Sequence, residues 1–187
     1  MAIALDAVST PSSDTQVLTI SHTCTGSNRI LFVGFHLDND DISSVTYATV
    51  AMTQIGKRQV AGDKWTHLYY LIAPATGANN IVITGGSSES VAGYGVSYTG
   101  VAQITPIDVS TTQAVTATTT ITTTVTTATD NCWTVLFAKN DVGVFAAGGG
   151  TTLRGGAQVN QMADSNAAIT PAGSTSLVLT YSSGDAA

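Results

Sequence analysis

Short segments with alternating apolar and polar residues run along the chain, and clusters of Gly, Asn, Asp and Ser separate them. An apolar residue at every second position is typical of a β-strand with one buried face, and the helical period is nearly absent. The chain is therefore expected to be all-β, with the architecture of a two-sheet antiparallel β-sandwich. The predicted strands lie near 2–9, 16–23, 29–37, 44–48, 51–56, 65–73, 80–84, 90–98, 104–110, 116–127, 132–139, 143–147, 157–163 and 175–182.

Two of these segments are apolar on both faces, which indicates central strands that are covered from two sides. Segment 29–37 carries Leu31, Val33, Phe35 and Leu37 on one face and Ile30, Phe32, Gly34 and His36 on the other. Segment 132–139 carries Trp133, Val135 and Phe137 on one face and Leu136 and Ala138 on the other.

Segment 116–127 differs because it consists almost entirely of threonine, interrupted by Ile121 and Val125. Threonine is β-branched and fits a pleated surface, but only one face of this segment carries apolar residues. The segment is therefore predicted to be either a strand with one buried face or an edge strand. Because an exposed edge can pair with another chain, a neighbouring subunit is expected to cover it.

The chain has 187 residues, of which 43% are hydrophobic, and this is enough for a sizeable core in one domain. No Pro-rich or Ser-rich linker divides the sequence, so a single domain over 1–187 is predicted, with 1–14 as an N-terminal arm. The opening MAIALDAVSTPSSD has neither a basic region nor a long apolar run, and no secretory signal is expected there.

Charged residues make up only 10% of the chain, and the formal net charge is −6. Roughly thirty threonines largely take their place, well above ordinary usage. The six basic residues are scattered, whereas nucleic acids and anionic membranes are bound by clusters of Lys and Arg. Neither a nucleic acid nor a membrane is therefore expected as a partner.

Catalysis requires acids, bases or nucleophiles that converge on one place. The chain has a single glutamate, Glu89, and its aspartates lie mostly in turn contexts, where Asp caps backbone amides. His22, His36 and His67 all fall within predicted strands, and no G-x-S-x-G motif precedes a helix. The sequence thus predicts a protein without enzymatic activity.

One acidic cluster, Asp38-Asn39-Asp40-Asp41, follows a predicted strand. Calcium takes carboxylate and amide oxygens from loops as ligands. Asp38, Asp40 and Asp41 are therefore a candidate calcium site. The alternative is an ordinary turn between strands with solvated acids.

Trp65 and Tyr69 lie on one face of the predicted strand 65–73, next to the polar loop KRQVAGDK. Modules that bind sugars often present a platform of aromatic rings, and these two residues are the candidate carbohydrate platform. The alternative is that both rings belong to the core, since they alternate with other residues along a strand.

Cys24 and Cys132 lie far apart and form neither a zinc pattern nor a CxxC redox pair. Two reduced thiols on strands fit this spacing. A single disulfide that joins two strands fits it as well.

Several motifs carry a family resemblance. The stretch NRILFVGFHLDNDDISSVTYATVAMTQIGKRQ contains an N-R-hydrophobic strand, then S-V-T-Y, a short turn and a second strand ending in I-G. The pieces HLYYLIAPATGANNIVIT and GYGVSYTGVAQITPID continue the pattern, and TTLRGG with MADSNAAITPAGSTSLVLTYSSG ends it. From about Asn28 onward the chain resembles a module of bacteriophage structural proteins and of some bacterial surface proteins.

The resemblance implies a jelly-roll-like β-sandwich with a binding or scaffolding role, similar to capsid decoration proteins and tail-fibre domains. The expected function is that of a non-enzymatic capsid decoration (cement) protein, which stabilises the head through contacts with other virion proteins, above all the major capsid protein. A homo-oligomer is expected, with a trimer as the first expectation, located in the virion and assembled in the bacterial host cytoplasm. The alternative is a carbohydrate-binding or host-adhesion module of a tail fibre or bacterial surface protein.

Overall fold

A computed structural model describes residues 2–60, 63–86, 90–115, 118–141, 143–155 and 159–181. These residues contain strands and no helix, and the strands pair antiparallel, so the all-β sandwich class is confirmed. Jelly-roll wiring stays a prediction. No helix in the described part of the chain is long and apolar enough to span a membrane. Glu89 and parts of the predicted strands 116–127, 157–163 and 175–182 lie outside the described residues.

The strands of the described residues are two to ten residues long. In chain order they are β1 (Ala4–Val8), β2 (Ser12–Thr15), β3 (Val17–Cys24), β4 (Ile30–Asp38), β5 (Ile42–Tyr47), β6 (Val50–Ala51), β7 (Thr53–Gln59), β8 (Lys64–Ile72), β9 (Gly77–Gly85), β10 (Ser90–Thr99), β11 (Thr120–Thr126), β12 (Val135–Lys139), β13 (Phe145–Ala147), β14 (Thr152–Leu153), β15 (Asn160–Asp164) and β16 (Ser174–Tyr181). Ala48 and Thr49, between β5 and β6, both have positive φ, which matches the twist of a two-residue hairpin turn.

The first sandwich is built from β1 to β10. Its smaller sheet, sheet 1, has the order β3-β9-β5-β6. Its larger sheet, sheet 2, has the order β1-β10-β4-β8-β7, with β2 also paired to β10. The core between the two sheets includes Leu18, Ile20, Leu31, Val33, Phe35, Leu37, Val45, Tyr47, Ile81 and Ile83.

Strand β4 is the central strand of sheet 2 and lies between β10 and β8. On one side Val33 and Phe35 pack towards sheet 1. On the other side Ile30 and Phe32 belong to a separate buried cluster. The prediction that this segment is covered on both faces is therefore confirmed.

The second sandwich is smaller and is built from β11 to β16. Sheet 3 has the order β12-β15-β14, and sheet 4 has the order β11-β16-β13. Their core contains Ile121, Ala138, Phe145, Ala163, Leu179 and Tyr181. The rings of Phe145 and Tyr181 meet edge to face, with 5.7 Å between their centroids.

Sheet 3 packs against the outer face of sheet 2, so the four sheets are stacked in the order 1, 2, 3, 4. The shared core includes Ile30, Phe32, Tyr94, Val96, Tyr98, Met162, Trp133, Val135 and Phe137. Gly34 allows the close approach, because the ring of Phe137 occupies the space of a Cβ atom at that position. At the same interface the Tyr98 hydroxyl donates to Asp164 Oδ2 at 2.7 Å, and Arg154 Nε donates to the same oxygen at 2.7 Å.

The prediction of a strand over 104–110 is wrong, since residues 101–115 form a connection without strand pairing. Pro106 has no N–H to donate to a ladder, and Thr105 has a φ of 47°. Ile104 is 83% exposed, so the apolar alternation in this segment does not reflect a buried face. Asp108 instead accepts a hydrogen bond of 2.7 Å from the N–H of Ala128.

The threonine-rich strand β11 is an edge strand of sheet 4, one of the two alternatives that its sequence allows. Ile121 is buried, and the exposed face carries Thr120, Thr122, Thr124 and Thr126. The side chain of Gln113 donates to the carbonyl of Thr122 at 2.9 Å. The connecting segment of the same chain therefore lies along part of this edge.

The N-terminal residues that the sequence suggests as an arm lie within sheet 2. β1 pairs with β10 from Ala4 to Val8, and β2 pairs with the same strand from Ser12 to Thr15. This segment therefore forms one edge of its own sandwich.

Both cysteines are free thiols. Cys24 is buried at the end of β3 in the first sandwich, and Cys132 is half-buried in the second. The structure therefore shows two reduced thiols, which is the first of the two alternatives that the sequence allows.

Candidate functional site

The outer face of sheet 1 forms a continuous surface, which we call the neutral face. The register of β3, β9 and β5 directs alternate side chains away from the core. The residues of the neutral face are Val17, Thr19, Ser21, Thr23, Ser44, Thr46, Ala51, Ala78, Asn80, Val82 and Thr84. All of them are described, most are exposed, and none is charged.

The neutral face can be buried against a partner at low cost. A buried charge must be paired, whereas hydroxyl and amide groups need only a hydrogen-bond partner. The strict alternation of β3 between exposed and buried positions is visible in the sequence VLTISHTC. The sequence does not reveal that three further strands extend this surface with uncharged side chains.

A second candidate surface, the corner cluster, lies where the loop between β4 and β5 meets β7 and β8. It consists of Asp40, Lys57, Trp65, His67 and Tyr69. The loop turns at Asn39, which has a φ of 63° and whose N–H donates to the carbonyl of Asp63 at 2.6 Å. This turn places the Asp40 carboxylate beside β8.

His67 is the buried centre of the corner cluster. Its side chain is 1% exposed, and its ring stacks on that of Phe35 with 5.0 Å between centroids. The Gln54 amide donates to Nδ1 at 3.2 Å, and Nε2 lies 3.3 Å from Asp40 Oδ1 without an aligned hydrogen bond. Burial lowers the pKa of His67 to about 4 despite the nearby carboxylate, so the ring is neutral at pH 7.

Lys57 joins the acidic and the aromatic parts of the corner cluster. Its ammonium group forms an ion pair with Asp40 Oδ2. The same nitrogen lies 5.2 Å from the centroid of the Trp65 ring, a cation–π contact. The side chain of Lys57 is 45% exposed, so the charged rim of the cluster is accessible to solvent.

Trp65 and Tyr69 share a face of β8, as the sequence predicts, but both pack against the core of the first sandwich. Lys57 lies over the Trp65 ring. The ring of Tyr69 stacks on Phe35 at 5.7 Å. The two rings are therefore half-buried, and one side of each is occupied by another residue.

The three aspartates of the candidate calcium site point to different partners. Asp40 faces Lys57 and His67. The carboxylate of Asp41 lies against Gly86, and Asp38 ends β4 opposite Lys64. Among the described residues, no three His, Cys, Asp or Glu side chains come together in a way that could hold a metal ion.

A polar chain inside the first sandwich was not found from the sequence. Ser9 Oγ donates to His22 Nδ1 at 2.7 Å, His22 Nε2 donates to Ser97 Oγ at 3.0 Å, and Ser97 Oγ donates to Asp6 Oδ2 at 2.8 Å. Burial lowers the pKa of His22 to about 4. Ser9 is 6% exposed and Ser97 is fully buried, so the chain satisfies polar groups between strands β1, β3 and β10.

Comparison with protein-family models, with curated protein sequences and with solved structures finds no match for the chain.

Proposed function

We propose that this chain is a non-enzymatic structural protein of a bacteriophage virion, a capsid decoration protein that stabilises the head through protein–protein contacts. The observation that carries the proposal is the neutral face. It is an exposed sheet surface of uncharged side chains in a protein whose formal net charge is −6. From Asn28 onward the sequence motifs resemble those of bacteriophage structural proteins, and this resemblance supports the same role.

The neutral face suits contact with a protein shell for a physical reason. Interface cores are depleted in charged residues relative to the rest of a protein surface. On this chain the charges lie elsewhere, for example on Asp40, Lys57 and Arg58 at the other sheet edge. In the proposed arrangement, sheet 1 faces the major capsid protein, and the charged edge of sheet 2 remains in solvent.

Self-association is part of the proposal, with a trimer as the expected state. Strand β11 presents an uncharged threonine face at the edge of sheet 4, and the connecting segment of the same chain lies along only part of that edge. An edge of this kind pairs readily with another strand, and cyclic symmetry lets every copy use the same contact. Assembly would take place in the bacterial host cytoplasm, and the protein would be located in the virion.

The test uses heads assembled without the chain and a doubly charged variant of the neutral face, Thr19→Lys/Thr46→Lys. These residues flank Val82 in the register of sheet 1. We expect the variant to bind heads about tenfold more weakly than the wild type, because two ammonium groups would be desolvated at the contact. Binding is measured by co-sedimentation, and the melting temperature of the variant shows that it is folded.

The matched control is Thr53→Lys/Gln59→Lys, which places the same charges on exposed positions of β7. This control should bind like the wild type. If the Thr19→Lys/Thr46→Lys variant binds heads as strongly as the control, the neutral face is not the contact surface.

The second candidate function is a carbohydrate-binding or host-adhesion module of a tail fibre or bacterial surface protein. The corner cluster favours it, because aromatic rings lie beside a carboxylate and an ammonium group that can hydrogen-bond to sugar hydroxyls. A glycan array separates the two functions. We expect no glycan to be bound, whereas binding that is lost in Trp65→Ala and retained in Tyr70→Phe would favour the second function.

A further inference from the structure

A cavity of about 210 Å³ lies between the two sandwiches, beyond the β12 edge of sheet 3. Phe32 and Leu68 of sheet 2 form its floor, and Val125 of β11 lies opposite. Phe137 of β12 forms a wall, and residues of the connection 106–113 line the outer side. The cavity is therefore lined by both sandwiches and by the segment that joins them, and one side is open to solvent.

The size of this cavity suits a small organic molecule. Protein interiors contain few voids larger than a water molecule. An apolar cavity of about 150 Å³ in another protein holds benzene, so the larger space here accommodates one aromatic ring with a short substituent. The aromatic side chains at the cavity, Phe32, Trp133 and Phe137, offer edge and face contacts to such a ring.

The lining of the cavity also includes an arginine. Arg58 lines it from β7, on the same face of sheet 2 as Thr66. Arg58 is exposed, and the ion pairs found among the described residues do not include it. Arginine binds carboxylates through two parallel hydrogen bonds, so an anionic group on the ligand has a partner there.

We infer that the cavity is a binding site for a small aromatic carboxylic acid. The ring fills the apolar space, and the carboxylate pairs with Arg58. This site is separate from the neutral face, and the inference does not depend on the proposed virion function.

The probe is 3-phenylpropionate, with binding measured by calorimetry on the full chain and by the rise in melting temperature. Val109 lines the cavity and is 42% exposed, so Val109→Trp fills the opening without a change in the core. We expect this variant to bind the probe at least about tenfold more weakly. Ile104→Trp is the matched control, since Ile104 is 83% exposed on the same connection and should leave binding unchanged.

The chemical class of the ligand is tested with one further variant. Arg58→Gln should weaken binding of the acid by about threefold to fivefold, the range of a partly exposed ion pair, and leave binding of the matching amide unchanged. Absence of saturable binding in the millimolar range, or equal binding by Val109→Trp, overturns the site. Equal binding of the acid by Arg58→Gln overturns the carboxylate assignment.

Discussion

Replacing Gly34 by alanine is expected to lower the free energy of unfolding by about 3 kcal/mol, at the upper end of the range for overpacked cores. A Cβ atom at this position would lie 2.5 Å from Cγ of Phe137 and 3.0 Å from its Cβ. Rotation of the Phe137 ring cannot relieve a clash with the root of its own side chain. Strand β12 would have to move away from sheet 2, and the core between the two sandwiches would open. Urea unfolding at pH 7 measures the loss.

A double-mutant cycle with Phe137→Ala isolates this contact. Removal of the ring makes room for the new methyl group, so Gly34→Ala should cost much less in the Phe137→Ala background than in the wild type. Gly149→Ala is the control, because a Cβ atom there meets nothing within 4 Å. Additive losses from Gly34→Ala and Phe137→Ala would contradict the stacking of sheet 3 on sheet 2.

Acidification is expected to unfold the protein between about pH 6.5 and pH 4. Burial lowers the pKa values of His22, His36 and His67 from 6.5 to about 4 in each case. In this range the unfolded chain binds protons that the folded chain does not, so stability is complete above pH 6.5 and falls as the pH falls. Near pH 5 three such groups give a slope of about 4 kcal/mol per pH unit.

The free energy of unfolding, measured in urea at several pH values, gives this slope directly. His36→Gln should reduce the slope by about one third, because it removes one of three titrating groups. His36 is the best histidine to replace, because it is only half-buried and its Nδ1 has no hydrogen-bond partner within the described residues. A slope near zero between pH 6.5 and pH 4 would show that the histidines are protonated in the folded state.

Alternation of apolar and polar residues predicts a strand well where the strand has several buried residues on one face. The two-sided pattern of 29–37 identifies the centre of sheet 2, and that of 132–139 identifies the strand between sheets 2 and 4. It fails where burial is not the cause of strand formation. The residues of β2, SSDT, are all exposed and pair only through their backbone. In 104–110, alternation is present although the segment forms no ladder.

The candidate sites were predicted less completely because they depend on the placement of distant segments. Trp65 and Tyr69 could be assigned to one face of a strand, and the acidic loop could be assigned to a turn. The sequence does not show that Lys57 brings Asp40 and Trp65 into one cluster. This contact depends on the pairing register of β7 and β8. The sequence carries no local signal for the stacking of the two sandwiches or for the cavity between them.

Saturation binding of the chain to heads assembled without it tests the proposed function most directly, with the bound copies counted per head. A decoration protein occupies every equivalent position of a symmetric shell. We therefore predict that binding saturates on the order of hundreds of copies per head and makes the heads more resistant to heat. Saturation at a handful of copies per particle, or no binding to heads, would contradict the account.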